Sequence, residues 1–297
     1  NSAMLTKEIV LQRLYKMKVF DLKGNFVETP AQEVAGLFSC LICACRSPEL
    51  NELLHDLYAQ SISKDRFEVI VVNDGAGAGV RDVVDSFRAL LNIRYLELAE
   101  PLRIIGALRN KALELASGEY ILFLDDDTRL LDKEFLLLAD GYLRNGLDVL
   151  CPSGHALYGL VKYKYDYFNE FSFTNCCCFI RRSILLRLGG LRNDLIAYED
   201  IDLGIRMTII GIKVKNCPDL LYWHPPFYFY SWQKPIVMGQ SILRLKNHYP
   251  VYIWLLIYLN SLRFLPFCLL PNRKCWQWFK ISYGALVAPF IGKKLYY

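Results

Sequence analysis

The feature that most constrains the fold is a regular alternation of two segment types in the first half of the chain. Short apolar runs of strand length occupy residues 37–43, 67–72, 93–98 and 120–124. Segments with apolar residues at helical spacing lie between them, at residues 48–57, 80–91 and 104–116. Strands that alternate with such helices form parallel sheets covered on both faces. The sequence therefore predicts an α/β fold with a doubly wound, mostly parallel sheet flanked by helices.

The second half of the chain follows this pattern less regularly. Helices are expected at residues 132–145 and 199–210, and strands at residues 148–151, 175–180 and 213–217. An aromatic stretch at residues 158–173 has no clear periodicity and allows two interpretations. Its rings could stack on an acceptor molecule, or they could pack in the core or in a lid. Its rings are Tyr158, Tyr163, Tyr165, Tyr167 and Phe168.

Composition excludes two classes of protein. Charged residues make up 22% of the chain and aromatic residues 14%, so the chain is not intrinsically disordered. A charge or a helix breaker interrupts every apolar run of about twenty residues, which argues against a polytopic membrane protein. Asp219 is the last acidic residue, whereas nine Lys or Arg residues and all five Trp residues follow it. We expect a mildly acidic body and a basic, aromatic, mainly helical C-terminal segment.

The spacing of the ten cysteines argues against disulfides. Cys176, Cys177 and Cys178 are adjacent, and neighbouring strand residues point to opposite faces, where they pair poorly. The sequence also lacks the two separate Cys-x-x-Cys pairs that are typical of a zinc site. We therefore expect reduced, mostly buried thiols in a reducing compartment.

Polar residues follow three of the expected strands: Arg46, the pair Asn73-Asp74, and the triplet Asp125-Asp126-Asp127. Ligands of open α/β sheets bind beyond the carboxyl ends of the strands. Three adjacent carboxylates repel one another, and a hard divalent cation such as Mg²⁺ or Mn²⁺ would relieve that repulsion. The alternative is a solvated turn that caps the next helix.

A second acidic cluster, Tyr198-Glu199-Asp200-Ile201-Asp202, opens a helix. Carboxylates are favoured at helix N-termini, which by itself would explain the cluster. Arg206 follows Asp202 by four residues, so an ion pair along the helix is also expected. His224 lies among aromatic residues and prolines, where an imidazole either packs or serves as a ligand for Mn²⁺.

Motifs occur in a defined order over residues 38–224. They are Cys43-Ala44-Cys45-Arg46, Asn73-Asp74-Gly75-Ala76, Leu108-Arg109-Asn110, Ala116-Ser117-Gly118-Glu119-Tyr120, Asp125-Asp126-Asp127, Gly189-Gly190 and Glu199-Asp200-Ile201-Asp202-Leu203-Gly204-Ile205-Arg206. In this order and at these separations they resemble the motifs of a family 2 glycosyltransferase with the GT-A fold.

The resemblance implies an inverting, metal-dependent transfer of a sugar from a nucleotide-diphosphate donor, with a UDP-sugar favoured. The acceptor would be a hydroxyl of a saccharide or lipid-linked saccharide in surface glycan synthesis. Asp200 matches the catalytic base of the family. The positions implied for donor binding are Ala44, Cys45, Arg46, Asp74, Arg103, Arg109, Asp125 and Asp126. Those implied for Mn²⁺ or Mg²⁺ are Asp125, Asp127 and His224, and those on or behind the acceptor side are Glu199, Asp202 and Arg206.

Two departures from the family pattern concern donor recognition. Cys45 stands where the family usually has an aromatic residue that stacks near the base, and Asn73 and Ala76 replace an acidic residue and a serine. Two alternative functions stay open. A polyprenyl-phosphate glycosyl synthase would have an ionised phosphate as acceptor, and a scaffold subunit would have no activity, although the metal and base positions are intact.

The pattern also predicts a domain organisation. Residues 1–35 form an N-terminal extension, in which residues 1–3 precede Met4 as an expression remnant. Residues 36–231 form the catalytic domain, with a donor half at 36–130 and an acceptor half at 131–231, and residues 232–297 form the C-terminal segment. The N-terminus lacks the pattern of a signal peptide, so we expect a cytoplasmic protein.

The C-terminal segment is expected to lie on a membrane surface. Residues 251–270 are apolar but interrupted by Asn260, Arg263 and Pro266, which favours an interfacial helix over a membrane span. Basic residues nearby would attract anionic lipid at the cytoplasmic face. The alternatives are an ordinary helical subdomain and a homodimer interface, and no motif for nucleic acid recognition is present.

Overall fold

The computed structural model describes residues 13, 22–25, 31–45, 47–75, 79–155, 176–225 and 228–292. Within these residues the chain forms an 8-stranded sheet in the order β3-β2-β1-β4-β7-β6-β8-β5. The strands are β1 Val34–Ala44, β2 Phe67–Asn73, β3 Ile93–Glu97, β4 Gly118–Asp125, β5 Arg129–Leu130, β6 Val149–His155, β7 Cys177–Arg181 and β8 Lys215–Trp223.

Five of the six helices that flank the sheet lie where the sequence predicts helices, whereas the short helix Arg182–Arg187 was not predicted. The six helices are α1 Ser47–Tyr58, α2 Val80–Phe87, α3 Ile105–Leu115, α4 Phe135–Arg144, α5 Arg182–Arg187 and α6 Glu199–Ile209. Strands β3, β2, β1 and β4 are parallel neighbours, with Cys40 of β1 paired to Val69 of β2 and to Leu122 of β4. Their carboxyl ends therefore meet at one edge of the sheet, as the sequence predicts.

The second half of the sheet departs from the parallel pattern. β7 lies antiparallel to both β4 and β6, and Leu124 of β4 is paired with Cys177 of β7. β6 and β8 are parallel, and the short β5 pairs antiparallel with β8. This arrangement brings the beginning of β7 and the end of β8 to the carboxyl end of β4.

Both faces of the sheet are buried, as the apolar strands predict. Along β2, Val69 and Val71 belong to one core cluster, whereas Ile70 and Val72 belong to the other. Helices α1, α2 and α4 contribute to the first cluster, and α3, α5 and α6 contribute to the second. The predicted α/β fold with helices on both faces is confirmed.

Three helices follow the sheet: α7 Gln233–Arg244, α8 Val251–Ser261 and α9 Arg273–Val287. α7 and α9 approach closely because glycines face each other. A Cβ atom on Gly284 would lie 2.1 Å from the carbonyl oxygen of Pro235, and one on Gly239 would lie 2.3 Å from the carbonyl oxygen of Gly284. The expected helical character of the C-terminal segment is confirmed, although the sequence did not delimit α9.

By length and composition alone, Val251–Leu269 is long and apolar enough to cross a membrane, and it is the one such stretch in the described part of the chain. Only its first part is α-helical, because α8 ends at Ser261 and a 3₁₀ helix occupies Leu265–Leu269. The 11 residues of α8 extend about 17 Å, whereas a hydrocarbon core is about 30 Å thick.

All ten cysteines lie in the described residues, and none forms a disulfide. Six of them are buried, and Cys45 and Cys268 are exposed. The prediction that most of the thiols are buried is therefore confirmed.

Candidate active site

The acidic triplet lies at the carboxyl end of β4, beside the carboxyl end of β1. Asp126 is directed towards β1, where its Oδ2 accepts a hydrogen bond of 2.7 Å from the backbone N–H of Cys45. The turn closes through a 3.1 Å hydrogen bond from Thr128 N–H to the carbonyl of Asp125. The carboxylate of Asp126 is thereby held against the backbone after β1, and the side chains of Asp125 and Asp127 are directed towards the end of β8.

Asp125, Asp127 and His224, predicted as the metal ligands, are brought together. His224 follows β8, and its Nε2 lies 3.5 Å from Asp125 Oδ2 and 3.2 Å from Asp127 Oδ1. Nδ1 of the ring is 2.9 Å from the carbonyl oxygen of Pro225. Two carboxylates and one imidazole nitrogen are a donor set that suits Mn²⁺ and accepts Mg²⁺. The residues present therefore fit a divalent cation.

The charges in this group perturb one another. Burial opposes the charged form of His224, but its hydrogen bonds and ionic attraction to Asp125 and Asp127 prevail and raise its pKa to about 10. Burial likewise opposes the charged form of Asp125, but His224 and Arg109 hold its pKa well below its usual range. The group is therefore held together by ion pairing that a bound cation would replace.

Sequence reasoning missed one residue of this group. A ligand atom from each of Asp125, Cys176 and His224 lies within 4.8 Å of the other two. Cys176 is half-buried and directly precedes β7, so the antiparallel pairing of β7 with β4 places it beside the carboxylate. Its only signal in the sequence was its place in a run of three cysteines.

Glu199 and Asp200 stand at the first turn of α6. The preceding residue, Tyr198, has a φ of 65°, a left-handed conformation that is unfavourable for a side chain of this size. The N–H of Ala197 donates to Ser241 Oγ of α7 over 3.1 Å, which helps to hold this turn. The surrounding structure therefore fixes the direction in which the two carboxylates leave the helix.

Asp200 is half-buried, and its Oδ1 accepts a 2.8 Å hydrogen bond from the N–H of Ile201. Burial raises the pKa of Asp200 to about 6 because the ionised form loses hydration, and the Ile201 N–H and Arg109 offset only part of that loss. Burial also raises the pKa of the adjacent Glu199. A carboxylate with a pKa near 6 is suited to accept a proton at neutral pH.

Arg109 joins the metal group to this helix. Its Nη1 donates to Glu199 Oε1 at 2.7 Å and its Nη2 donates to Asp125 Oδ1 at 2.9 Å. The residue is buried within α3. The resemblance implied that Arg109 is a candidate for donor binding. In the structure its guanidinium bridges two carboxylates.

Asp202 and Arg206 lie behind the site and do not line it. Both side chains are fully buried, and Asp202 accepts from Arg206 Nε at 2.8 Å and from Arg192 Nε at 3.0 Å. The predicted ion pair along the helix is present. Tyr249 Oη completes the network with a 2.7 Å hydrogen bond to Asp202 Oδ1. These residues support α6 from within the core.

The predicted donor side is less complete. Both carboxylate oxygens of Asp74 accept backbone hydrogen bonds, from Leu102 at 2.6 Å and from Arg103 at 2.8 Å, and the side chain of Arg103 is exposed. Ala44 is buried and Cys45 is exposed at the end of β1. Arg46, Ala76 and the aromatic stretch at 158–173 lie outside the described residues.

Residues 39–159 match the sequence profile described as Glycosyl transferase family 2. The match covers the second half of β1, the acidic triplet and Arg109. Residues 39–159 therefore form a match to glycosyltransferase family 2. Asp74, Arg109 and the acidic triplet lie inside the matched region, whereas Asp200 and His224 lie beyond it.

Curated relatives that match part of this chain include a glycosyltransferase and a succinoglycan biosynthesis protein. The poly(ribitol-phosphate) beta-N-acetylglucosaminyltransferase TarS of Staphylococcus aureus is 34% identical over 107 residues, which are 36% of this chain and 18% of TarS. The succinoglycan biosynthesis protein ExoM of Rhizobium meliloti is 33% identical over 87 residues, which are 29% of this chain and 28% of ExoM. The matches thus span less than a third of either relative.

Solved structures confirm the GT-A fold of this chain. S. aureus TarS 1-349 in complex with UDP-GlcNAc has a TM-score of 0.61 at 20% identity, covering 85% of this chain and 81% of that one. The mannosyltransferase PcManGT from Pyrobaculum calidifontis, in complex with GDP-Man and Mn²⁺, has a TM-score of 0.64 at 15% identity, covering 95% and 94%. At these identities the likeness concerns the fold alone.

Proposed function

We propose that this chain transfers a sugar from a nucleotide-diphosphate donor to an acceptor hydroxyl, with inversion at the anomeric carbon and with Mn²⁺ or Mg²⁺ bound. The observation that carries the proposal is that a possible cation site and a possible proton acceptor lie close together and are joined by one arginine. Asp125, Asp127 and His224 form a cation group, and Arg109 connects that group to the turn that holds Asp200. A cation site and a proton acceptor are the two functions that such a transfer requires.

The residues divide the chemistry between them. The cation, when bound, neutralises charge on the departing diphosphate as a Lewis acid. Asp200 takes the proton of the attacking hydroxyl, a contribution of about 10²–10⁴-fold. Arg109 holds Asp125 ionised and fixes its distance from Glu199. A single base acting in a direct displacement predicts inversion, since retention by double displacement uses a second carboxylate as nucleophile.

The relatives support our choice of donor and acceptor classes. Neighbouring structures bind UDP-GlcNAc and GDP-Man, and curated relatives glycosylate poly(ribitol-phosphate) or contribute to succinoglycan. We favour a UDP-sugar as donor, and a saccharide or lipid-linked saccharide of surface glycan synthesis as acceptor. Asp74, half-buried beyond the end of β2, is our candidate for contact with the nucleotide base.

The test is a screen of UDP-, GDP- and dTDP-sugars for Mn²⁺-dependent hydrolysis by the full chain. We expect release of nucleotide from a UDP-sugar in the presence of Mn²⁺ and none in the presence of a chelator. Release that is equally fast with the chelator would contradict the metal-dependent mechanism. Hydrolysis of only GDP- or dTDP-sugars would keep the reaction and overturn our choice of donor.

We further propose that the C-terminal segment lies on the cytoplasmic face of a membrane. The apolar side chains of α8 support this, since Val251 is 66% exposed, Leu256 64% and Leu259 60%. The chain after Asp219 has no acidic residue and nine basic ones, a balance that complements anionic lipid. An apolar helix face beside basic residues is typical of interfacial binding.

Vesicle flotation tests the membrane proposal. The full chain should float with vesicles that contain phosphatidylglycerol, and a Leu256→Glu, Leu259→Glu variant should not. Leu137→Glu, at an exposed position on α4, serves as the matched control and should float normally. Flotation of the double variant equal to that of the wild type would overturn the proposal. A wild type that sediments as a dimer and a double variant that sediments as a monomer would also overturn it, in favour of a homodimer interface.

A further inference from the structure

We propose that Cys176 is a ligand of the bound cation, and that its thiol makes the site prefer Mn²⁺ and other sulfur-tolerant cations to Mg²⁺. The inference rests on the proposed function only in that both require a cation beside Asp125 and His224. It adds a ligand type, sulfur, to the oxygen and nitrogen ligands that the sequence motifs predict. It also assigns a role to a residue that the reaction does not otherwise use.

The distances are compatible with joint ligation. Metal–ligand distances of about 2.0–2.3 Å for oxygen, nitrogen and sulfur separate two ligands of one ion by at most about 4.5 Å. The ligand atoms of Asp125, Cys176 and His224 all lie within 4.8 Å of one another. Small side-chain rotations therefore suffice to bring the three atoms onto one cation, and no movement of the sheet is required.

The backbone holds Cys176 in this place. Its carbonyl oxygen accepts a 3.1 Å hydrogen bond from the N–H of Asp125 and a 3.2 Å hydrogen bond from Thr128 Oγ1. Thr128 is itself fully buried. Cys176 is thus tied to both ends of the turn that bears the metal-binding carboxylates, and its side chain emerges next to them.

A thiol changes the preference of a cation site in a known direction. Mg²⁺ strongly favours oxygen ligands in octahedral geometry, whereas later divalent metals accept imidazole and thiolate. The thiol proton passes to solvent when sulfur binds the metal. Sulfur in place of an oxygen ligand should therefore weaken Mg²⁺ more than Mn²⁺ and should favour Co²⁺ or Zn²⁺ over both.

Cobalt titration of the full chain tests the assignment without relying on activity. A Co²⁺–sulfur bond produces a charge-transfer absorption in the near ultraviolet that oxygen and nitrogen ligands do not produce. We expect this band in the wild type and in a Cys268→Ser control, whose thiol is exposed in the C-terminal segment. The band should disappear in Cys176→Ser, and calorimetry should show Co²⁺ bound roughly tenfold more weakly.

A second variant changes the preference and leaves a ligand in place. Cys176→Asp replaces sulfur by oxygen, so the ratio of Mn²⁺ to Mg²⁺ affinity should fall by roughly tenfold. The wild type could instead bind Co²⁺ without showing the band, and Asp127→Asn could abolish that binding. This result would overturn the role of Cys176 and leave the proposed function standing. Failure of Co²⁺, Mn²⁺ and Mg²⁺ to bind at all would overturn both.

Discussion

Tyr249 Oη donates a 2.7 Å hydrogen bond to Asp202 Oδ1, and this bond links the C-terminal segment to the helix that begins with Glu199 and Asp200. Tyr249 is 4% exposed and Asp202 is fully buried. The same carboxylate binds Arg192 and Arg206. The turn that bears the proposed base is therefore supported from behind by a residue outside the predicted catalytic domain.

Tyr249→Phe should destabilise the protein and slow the reaction. Loss of a buried hydrogen bond to a charged group costs about 1.5–3 kcal/mol, measured as the free energy of unfolding in urea. We expect a lower kcat with unchanged Mn²⁺-dependent donor affinity, because the network holds α6 and does not contact the cation group. Tyr252→Phe, an exposed tyrosine on α8, is the control. Equal stability and kcat in the two variants would show that the network is dispensable.

Asp200→Asn should lower the transfer rate by about 10²–10⁴-fold, since it removes the proton acceptor and preserves the shape of the side chain. Donor binding in calorimetry should be retained. Asp82→Asn, at an exposed position on α2, should behave as the wild type. Retention of most of the rate would instead favour a phosphate acceptor, which is already ionised and needs no base.

The pH dependence of kcat should report the environment of Asp200. Because its pKa is raised to about 6, the base is protonated below that pH and ionised above it. The rate, measured with saturating metal and donor, should rise through pH 6 and then level, and Asp200→Asn should lack this rise. The charges that act on this carboxyl are those of Arg109, Asp125 and Glu199. A midpoint near the ordinary value of about 4 would contradict the burial of the base.

Arg109→Met should be strongly destabilising, because it leaves Glu199 buried without the guanidinium that binds it. Removal of one partner from a buried ion pair costs about 3–5 kcal/mol, measured by urea denaturation. Arg88→Met removes an exposed pair with Asp85 and should cost less than about 1 kcal/mol. Equal free energies of unfolding for the two variants would show that the Arg109 bridge between Asp125 and Glu199 contributes little to stability.

Local pattern sufficed for much of the fold and part of the site. The apolar runs at β1, β2 and β4 place their carboxyl ends together, and the positions of Asp125, Asp127 and His224 follow from motif order. Strand periodicity is a local signal, whereas the motif order extends over residues 38–224 and rests on resemblance to the family.

Contacts between residues that are distant in the sequence could not be predicted from local patterns. The antiparallel insertion of β7 beside β4 brings Cys176 to Asp125, residues that lie far apart in the chain. The inward direction of Arg109 depends on where α3 packs, and the bond from Tyr249 depends on how the C-terminal helices fold back. A motif identifies the residue type at a position, whereas contacts across the fold decide which partner it meets.

The most direct test of the central claim is calorimetric titration of a UDP-sugar into the full chain, with Mn²⁺ or with chelator, for the wild type and Asp127→Asn. The account predicts binding that requires Mn²⁺ and that Asp127→Asn abolishes. Absence of Mn²⁺-dependent binding of UDP-, GDP- and dTDP-sugars to the wild type would contradict it and would favour a scaffold protein with a glycosyltransferase fold.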